Sequence, residues 1–412
     1  MKYIKILLLV LFTCVVSVQW AQAGRKPQYT VQDLGTLGGS FSVANGLANS
    51  GWVLGHSAVP GDTAVHAFLW RNGLTTDLGT LGGPDSLALY RPNENGVAGG
   101  GSETTTPDPL GENWCVVDNV CLPFLWRNGT MIPLPTLGGN NGFAQGVNDQ
   151  VEVVGTAENA IAEPTCAGTG QVLQYKPVIW KKGKVHELPT FAGDPTGGAH
   201  AINDRGQAVG NSGPCNAASH ALLWEKGVVI DLGNLGGAME NVAFDINNQG
   251  RVVGLSDLSG DTVFHAFLWG QGAMTDLGTL PGDVLSAANS INQKDQVVGW
   301  SVDAYGNERP FFWQNGVMKD LNTLTDPNSP LYLIEAHSIN DRGQIVGYAL
   351  VKATGELHAF LATPSHGEAF SEDAAPSEPS QRPKVTLPES IRKLLEQRAR
   401  FGGFKGGLFL LQ

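Results

Sequence analysis

The chain has 412 residues, of which 54 are glycine, 42% are hydrophobic and 16% are charged. So much glycine without a collagen period means many turns, and the apolar share is ample for a packed core. Between residues 24 and 364 the charge balance is 17 basic against 32 acidic, or −15, which argues against nucleic acid as a partner because such binding runs on basic contacts to phosphate.

The N-terminus is read first, as a targeting segment. Met1 to Ala23 has the form of a signal peptide: Lys2 and Lys5 at the start, an apolar run from Ile6 to Val18, and the small-x-small site Ala21-Gln22-Ala23. The run is too short for a comfortable membrane span. Cys14 lacks the small residues that precede a lipoprotein cysteine. Four cysteines follow the cleavage site, Cys115, Cys121, Cys166 and Cys215, an even number that favours two disulfides in an oxidising compartment.

From Tyr29 onward three motifs recur in order. The first is His66-Ala67-Phe68-Leu69-Trp70, with copies ending at Trp126, Trp180, Trp224, Trp269 and Trp313, and a last copy, His358 to Ala362, without tryptophan. The second is Asp77-Leu78-Gly79-Thr80-Leu81-Gly82-Gly83. The third is Ile202-Asn203-Asp204-Arg205-Gly206-Gln207-Ala208-Val209-Gly210. The tryptophans lie 44 to 56 residues apart, which suits four short strands and their turns. The segments are apolar on both parities, so both faces of each sheet must be covered. Blades packed radially do this. The expected fold is therefore an all-β, seven-bladed β-propeller of four-stranded blades over residues 24–364.

Each unit divides into strand A, ending in Ile-Asn; a tight Asn-Asp-x-Gly turn; strand B, Val-Val-Gly; a loop of variable length; strand C, ending in tryptophan; and strand D, carrying Asp-Leu-Gly. The last unit lacks strand D, and Tyr29 to Asp33 is a strand D without a blade. Pairing the two ends closes the ring and hides an edge. The second unit departs most, since Arg91 to Gly96 reads as one residue short in its turn. The linked motifs from Tyr29 to Pro364 resemble the HAF-repeat family of bacterial extracellular proteins, and the resemblance implies an exported or surface protein with a propeller-like body. It implies no particular chemistry.

Candidate chemistry is sparse. His66, His220, His265 and His358 occupy matching positions on separate blades, so they are expected to bond within their blades rather than hold a metal; Lys176 and Arg309 replace them elsewhere. The Asn-Asp turns offer too few oxygens for calcium. No nucleophile elbow, zinc-protease helix, phosphate loop or cofactor motif occurs. The irregular B–C loops are the informative departures. They run from Gly100 to Cys121 and from Thr156 to Tyr175 on neighbouring blades, and bring Asp108, Glu112, Trp114, Asp118, Glu158 and Glu163 to one face as candidate ligand residues. The alternative is a pair of inert insertions. Cys115 is expected to pair with Cys121, close in sequence, and Cys166 with Cys215, in matching loops of adjacent blades.

Residues 365–387 read as a disordered linker. Residues 388–412 form a short basic amphipathic tail, too short and charged to span a bilayer, suited to touching a membrane surface or a partner. The first functional reading is a non-catalytic binding or scaffold module, outside the cell, in the periplasm or at the cell surface, with a glycan or protein ligand. The second is a secreted polysaccharide-active hydrolase or lyase using the same loop face.

Overall fold

A computed structural model describes residues 27–365, apart from Asn113, Val117 and Asp118. The segments expected to be a signal peptide, a linker beyond residue 365 and a basic tail lie outside the described residues. Seven four-stranded antiparallel sheets form a closed ring, each in the order A-B-C-D from the channel outward. Six blades are continuous, at 42–77, 86–133, 138–187, 196–231, 236–278 and 283–320. Blade 7 takes strands A to C from Leu331–Ile339, Ile345–Val351 and Leu357–Pro364, and its strand D from Tyr29–Asp33.

That closure follows the expected register. Tyr29 pairs with Pro364, Val31 with Ala362 and Asp33 with Phe360. Tyr29 is buried and sits 6.5 Å from the Phe312 ring of blade 6. His358 Nδ1 lies 2.9 Å from the Asp33 carboxylate, so strands C and D are also joined by side chains.

Burial explains the apolar runs. Ala67, Phe68, Leu69 and Trp70 are all buried, because one parity faces the preceding blade and the other the next. Leu54, Ala67 and Leu69 of blade 1 share a core with Ala88, Ala98 and Phe124 of blade 2. Each leucine and phenylalanine among them contributes roughly 1.5–3 kcal/mol. The glycine of Val-Val-Gly is a packing requirement: a Cβ on Gly254 would stand 1.9 Å from the Val242 carbonyl oxygen and 2.9 Å from the Phe267 ring.

The Asn-Asp-x-Gly turns clasp blade to blade. Asn203 Oδ1 accepts the N–H groups of Arg205 and Gln207, while its amide donates to the Asn247 carbonyl of the next blade. The following position forms a closed ring of seven bonds. The N–H groups of Asn49, Glu94, Asp149, Asp204, Asn248, Gln293 and Asp341 each donate to the next side chain in that order, and Asp341 donates back to Asn49. These oxygens are occupied by backbone donors.

Blade 2 corrects one expectation. Its turn is complete, since Asn93 Oδ1 accepts from Asn95 and Val97 as Asn203 does from Arg205 and Gln207. Strand A instead carries an extra residue between Ala88 and Asn93, and its regular part shrinks to Ser86–Leu87. The surplus sends Tyr90 and Arg91 into the channel. Tyr90 stacks on His200 at 5.8 Å, and Arg91 pairs with Asp245 of blade 5. Gly46 makes room for this strap: a Cβ there would stand 2.2 Å from the Arg91 Cα.

Candidate functional site

Strand direction puts the B–C and D–A connections on one face of the disc and the A–B and C–D turns on the other. On the loop face the strands of blades 2 and 3 extend past the blade body, at Ala98–Pro107, Asn119–Arg127, Val153–Ala162 and Leu173–Lys181. The loops they carry are covalently fixed. Cys115 bonds Cys121 with Cα atoms 5.7 Å apart, and Cys166 bonds Cys215 with Cα atoms 4.9 Å apart, bracing blade 3 against blade 4. Both pairings are those expected. All four cysteines are buried.

The structure brings Asp108, Glu112, Trp114 and Glu158 together. Gln171 is the hub: its amide donates to Glu112 at 2.9 Å and to Glu158 at 2.7 Å, and its oxygen accepts from the Trp114 indole at 3.0 Å. Glu112 also accepts the N–H groups of Val172 and Leu173. Glu158 accepts those of Asn140 and Asn141, and the Asn141 amide donates to Asp108. Glu112 and Glu158 are both fully buried. Burial, followed by the neighbouring Glu112 charge, pushes the Glu158 carboxyl up to about 7, against the opposing bonds from Gln171 and Asn141. Trp114 is half-buried and meets Tyr175 edge-on at 6.0 Å. Glu163 stands apart, capping the turn at Thr165 and accepting from Gln174. Asp118 lies outside the described residues.

A second carboxyl group on this face is not among the sequence candidates. Glu240, at the entry to strand A of blade 5, is half-buried. Its N–H donates to Asp257 at 2.8 Å, and a backbone bridge joins it to Ala218 in the B–C segment of blade 4. Burial and then the charge of Asp257 push Glu240 up to about 7. Asp257 is itself raised, by burial first and by the charge of Asp261. The Ala238 N–H donates to exposed Asp261 at 2.6 Å. One signal was present in the repeats: Glu103, Glu158 and Asp257 all stand three residues after the glycine of strand B, where Ala58, Gly213 and Val302 stand in other units.

The repeated histidines bond carboxylates. His66 and His265 reach Asp77 and Asp276 of their own blades at 2.9 Å, and His220 reaches Asp194 at 2.8 Å. In the channel, His337 Nδ1 bonds the Ala44 carbonyl and Nε2 lies 2.8 Å from Glu335, which also accepts from the Tyr348 hydroxyl. Burial pushes His200 down to about 4, so it is neutral at ordinary pH. Among the described residues no group of three or more His, Cys, Asp or Glu side chains is arranged to hold a metal ion.

No family model and no curated protein matches the sequence. Solved structures match in fold. An oligogalacturonate lyase in complex with manganese aligns over 83% of this chain and 94% of its own, with 12% identity and a TM-score of 0.50. The acylaminoacyl peptidase of Pyrococcus horikoshii aligns over 80% of this chain and 52% of its own, at 9% identity and TM-score 0.47. The β-propeller domain of the Trilobed protease of Pyrococcus furiosus aligns over 81% and 100%, at 10% and 0.45. These likenesses are of fold. The first of them corrects the reading of a non-catalytic binding or scaffold module. That reading leaned on missing catalytic motifs, yet a propeller of this build is named as a lyase. On such a fold a catalytic set is gathered from separate blades, where no linear motif records it.

Proposed function

We propose that the chain is a carbohydrate-active enzyme, a hydrolase or lyase of polysaccharides, that works on the loop face. The observation that carries this reading is Glu240, a half-buried carboxyl held up to about 7 beside the Asp257 carboxyl. Breaking a glycosidic bond, by hydrolysis or by elimination, requires a proton for the leaving oxygen, and an acid poised near neutrality is suited to give it. Glu240 is that donor. Asp257 is a positioning residue, since its charge helps keep the proton on Glu240. Acid–base cleavage also uses a second carboxylate, and Asp261 on the B–C turn of the same blade supplies it. Trp114, on the same face and half-buried, offers a partly open ring for a sugar to stack on.

The export signal, the HAF-repeat resemblance and an extracellular or periplasmic location belong to the same proposal. The two disulfides fit an oxidising compartment. No helix among the described residues is long and apolar enough to cross a membrane.

The test is to incubate the exported protein with neutral, amine-bearing and uronate-bearing polysaccharides. New reducing ends report cleavage of either kind, and ultraviolet absorbance of an unsaturated uronate reports elimination. Glu240→Gln should lower the rate by about 10²–10⁴-fold, and Asp257→Asn should move the pH profile of kcat/KM. Absence of product from every polymer, or an unchanged rate in Glu240→Gln, overturns the reading.

A further inference from the structure

The loops of blades 2 and 3 are each anchored by a disulfide, but to different parts of the frame. Cys115–Cys121 ties the blade 2 loop to its own strand C, and Cys166–Cys215 ties the blade 3 loop to blade 4. Neither crosses the seam between blades 2 and 3. Hydrogen bonds cross it instead. Glu112 of blade 2 accepts from the Gln171 amide and from the Val172 and Leu173 N–H groups of blade 3. The Trp114 indole donates to Gln171, and the Asn141 amide donates to Asp108.

These bonds enclose a conflict. All three donors to Glu112 meet one oxygen, Oε1; Oε2 has no donor among the described residues, although Glu112 is fully buried. Glu158, also fully buried, rests its carboxyl on the same Gln171 nitrogen at 2.7 Å and lies within hydrogen-bond reach of Glu112. Two charged carboxylates this close and away from water repel strongly. The other titratable groups packed at the seam are carboxyls too: Asp108, on the Asn141 amide, and Glu103, on the Val116 N–H. Lys176 of strand C stands beside Glu163. A single proton removes the conflict and supplies the donor that Glu112 Oε2 lacks. Burial and the Glu112 charge place that proton on Glu158.

We infer that this seam is a proton-operated clasp: a proton carried by Glu158 and donated to Glu112 Oε2 holds the blade 2 loop against blade 3, and its loss frees Glu112 and Trp114 from Gln171. Because the Glu158 carboxyl is raised from 4.5 to about 7, the clasp is shut in acid and opens as pH rises through about 7. The change is confined to the seam, since each loop stays tied to the frame by its own disulfide. It stands whether or not Glu240 donates a proton to a substrate.

The experiment follows the glutamate carboxyl carbons and the tryptophan indole N–H groups of the exported protein by NMR, on both sides of pH 7. The Glu158 resonance, assigned by its absence in Glu158→Gln, should titrate near pH 7. The protection of the Trp114 indole N–H against exchange should fall at least about tenfold with it. The indoles of Trp180 and Trp224, which donate to the Pro135 and Pro189 carbonyls, should keep theirs. Glu112→Gln retains the oxygen that takes three donors and puts an amide where Oε2 stands, so Glu158 should titrate lower and Trp114 should stay protected on both sides of pH 7. Wild-type protection of Trp114 that does not change with pH, an equal loss in Glu112→Gln, or a Glu158 carboxyl that titrates in the ordinary carboxylate range each overturns the clasp. The wild-type titration decides even where a variant fails to fold.

Discussion

Replacing Glu158 by glutamine tests the loop junction directly. Glu158 is fully buried, and its carboxyl is raised from 4.5 to about 7 by burial and by Glu112. A carboxyl raised in the folded state binds its proton there while the unfolded chain has released it. Stability is therefore undiminished below about pH 4.5, falls as pH rises to about 7, and stays low above that. The gap between the two values corresponds to about 3 kcal/mol at full expression. Glutamine keeps the shape and an oxygen for the Asn140 and Asn141 N–H groups, while its amide replaces the oxygen that accepts from Gln171, whose side-chain amide must turn to meet it. Urea unfolding of wild type and Glu158→Gln should be followed from acid to mildly alkaline pH, with hydrogen exchange at Val172 and Leu173, whose N–H groups rest on Glu112. The wild type should lose stability between about pH 4.5 and about pH 7, and the variant should lose distinctly less. Parallel profiles, or a wild type that gains stability across this window, would refute the reasoning.

The remaining predictions concern the frame. Replacing Cys166 and Cys215 together by serine should cost about 2–4 kcal/mol and speed hydrogen exchange in both loops; a non-reduced peptide map linking Cys115 to Cys215 would contradict the pairing. Removing Tyr29–Asp33 strips blade 7 of its outer strand and of the His358–Asp33 bond, so the melting temperature should drop sharply, and an unchanged one would show that closure contributes little.

What the sequence revealed and what it hid divide along a physical line. The blades were legible because their constraints are local and repeated: Ala67 to Trp70 must be apolar on both parities, and Gly254 must lack a Cβ, whatever the neighbours are. Cys166 and Cys215 could be matched because the repeat itself says which loops are adjacent. Glu240 could not be found in this way. Its carboxyl is raised by burial and then by Asp257, a residue on another strand, and neither is written in sequence spacing. The channel strap was misread for a related reason. An extra residue between Ala88 and Asn93 can be absorbed by a turn or by a strand, and the inter-blade bonds decide. Asn93 donates to the Asn148 carbonyl and Glu94 to the Asp149 side chain, as their counterparts do in other blades. Holding the turn in register with both neighbours leaves the surplus nowhere to go but inward. There the Arg91 charge meets Asp245, which also accepts from Ser290 and the Ile291 N–H of blade 6. Arg91 is half-buried, so without that partner its charge would be partly withdrawn from water with nothing to offset it. Insertion and carboxylate thus make sense only together, although 154 positions separate them in the chain.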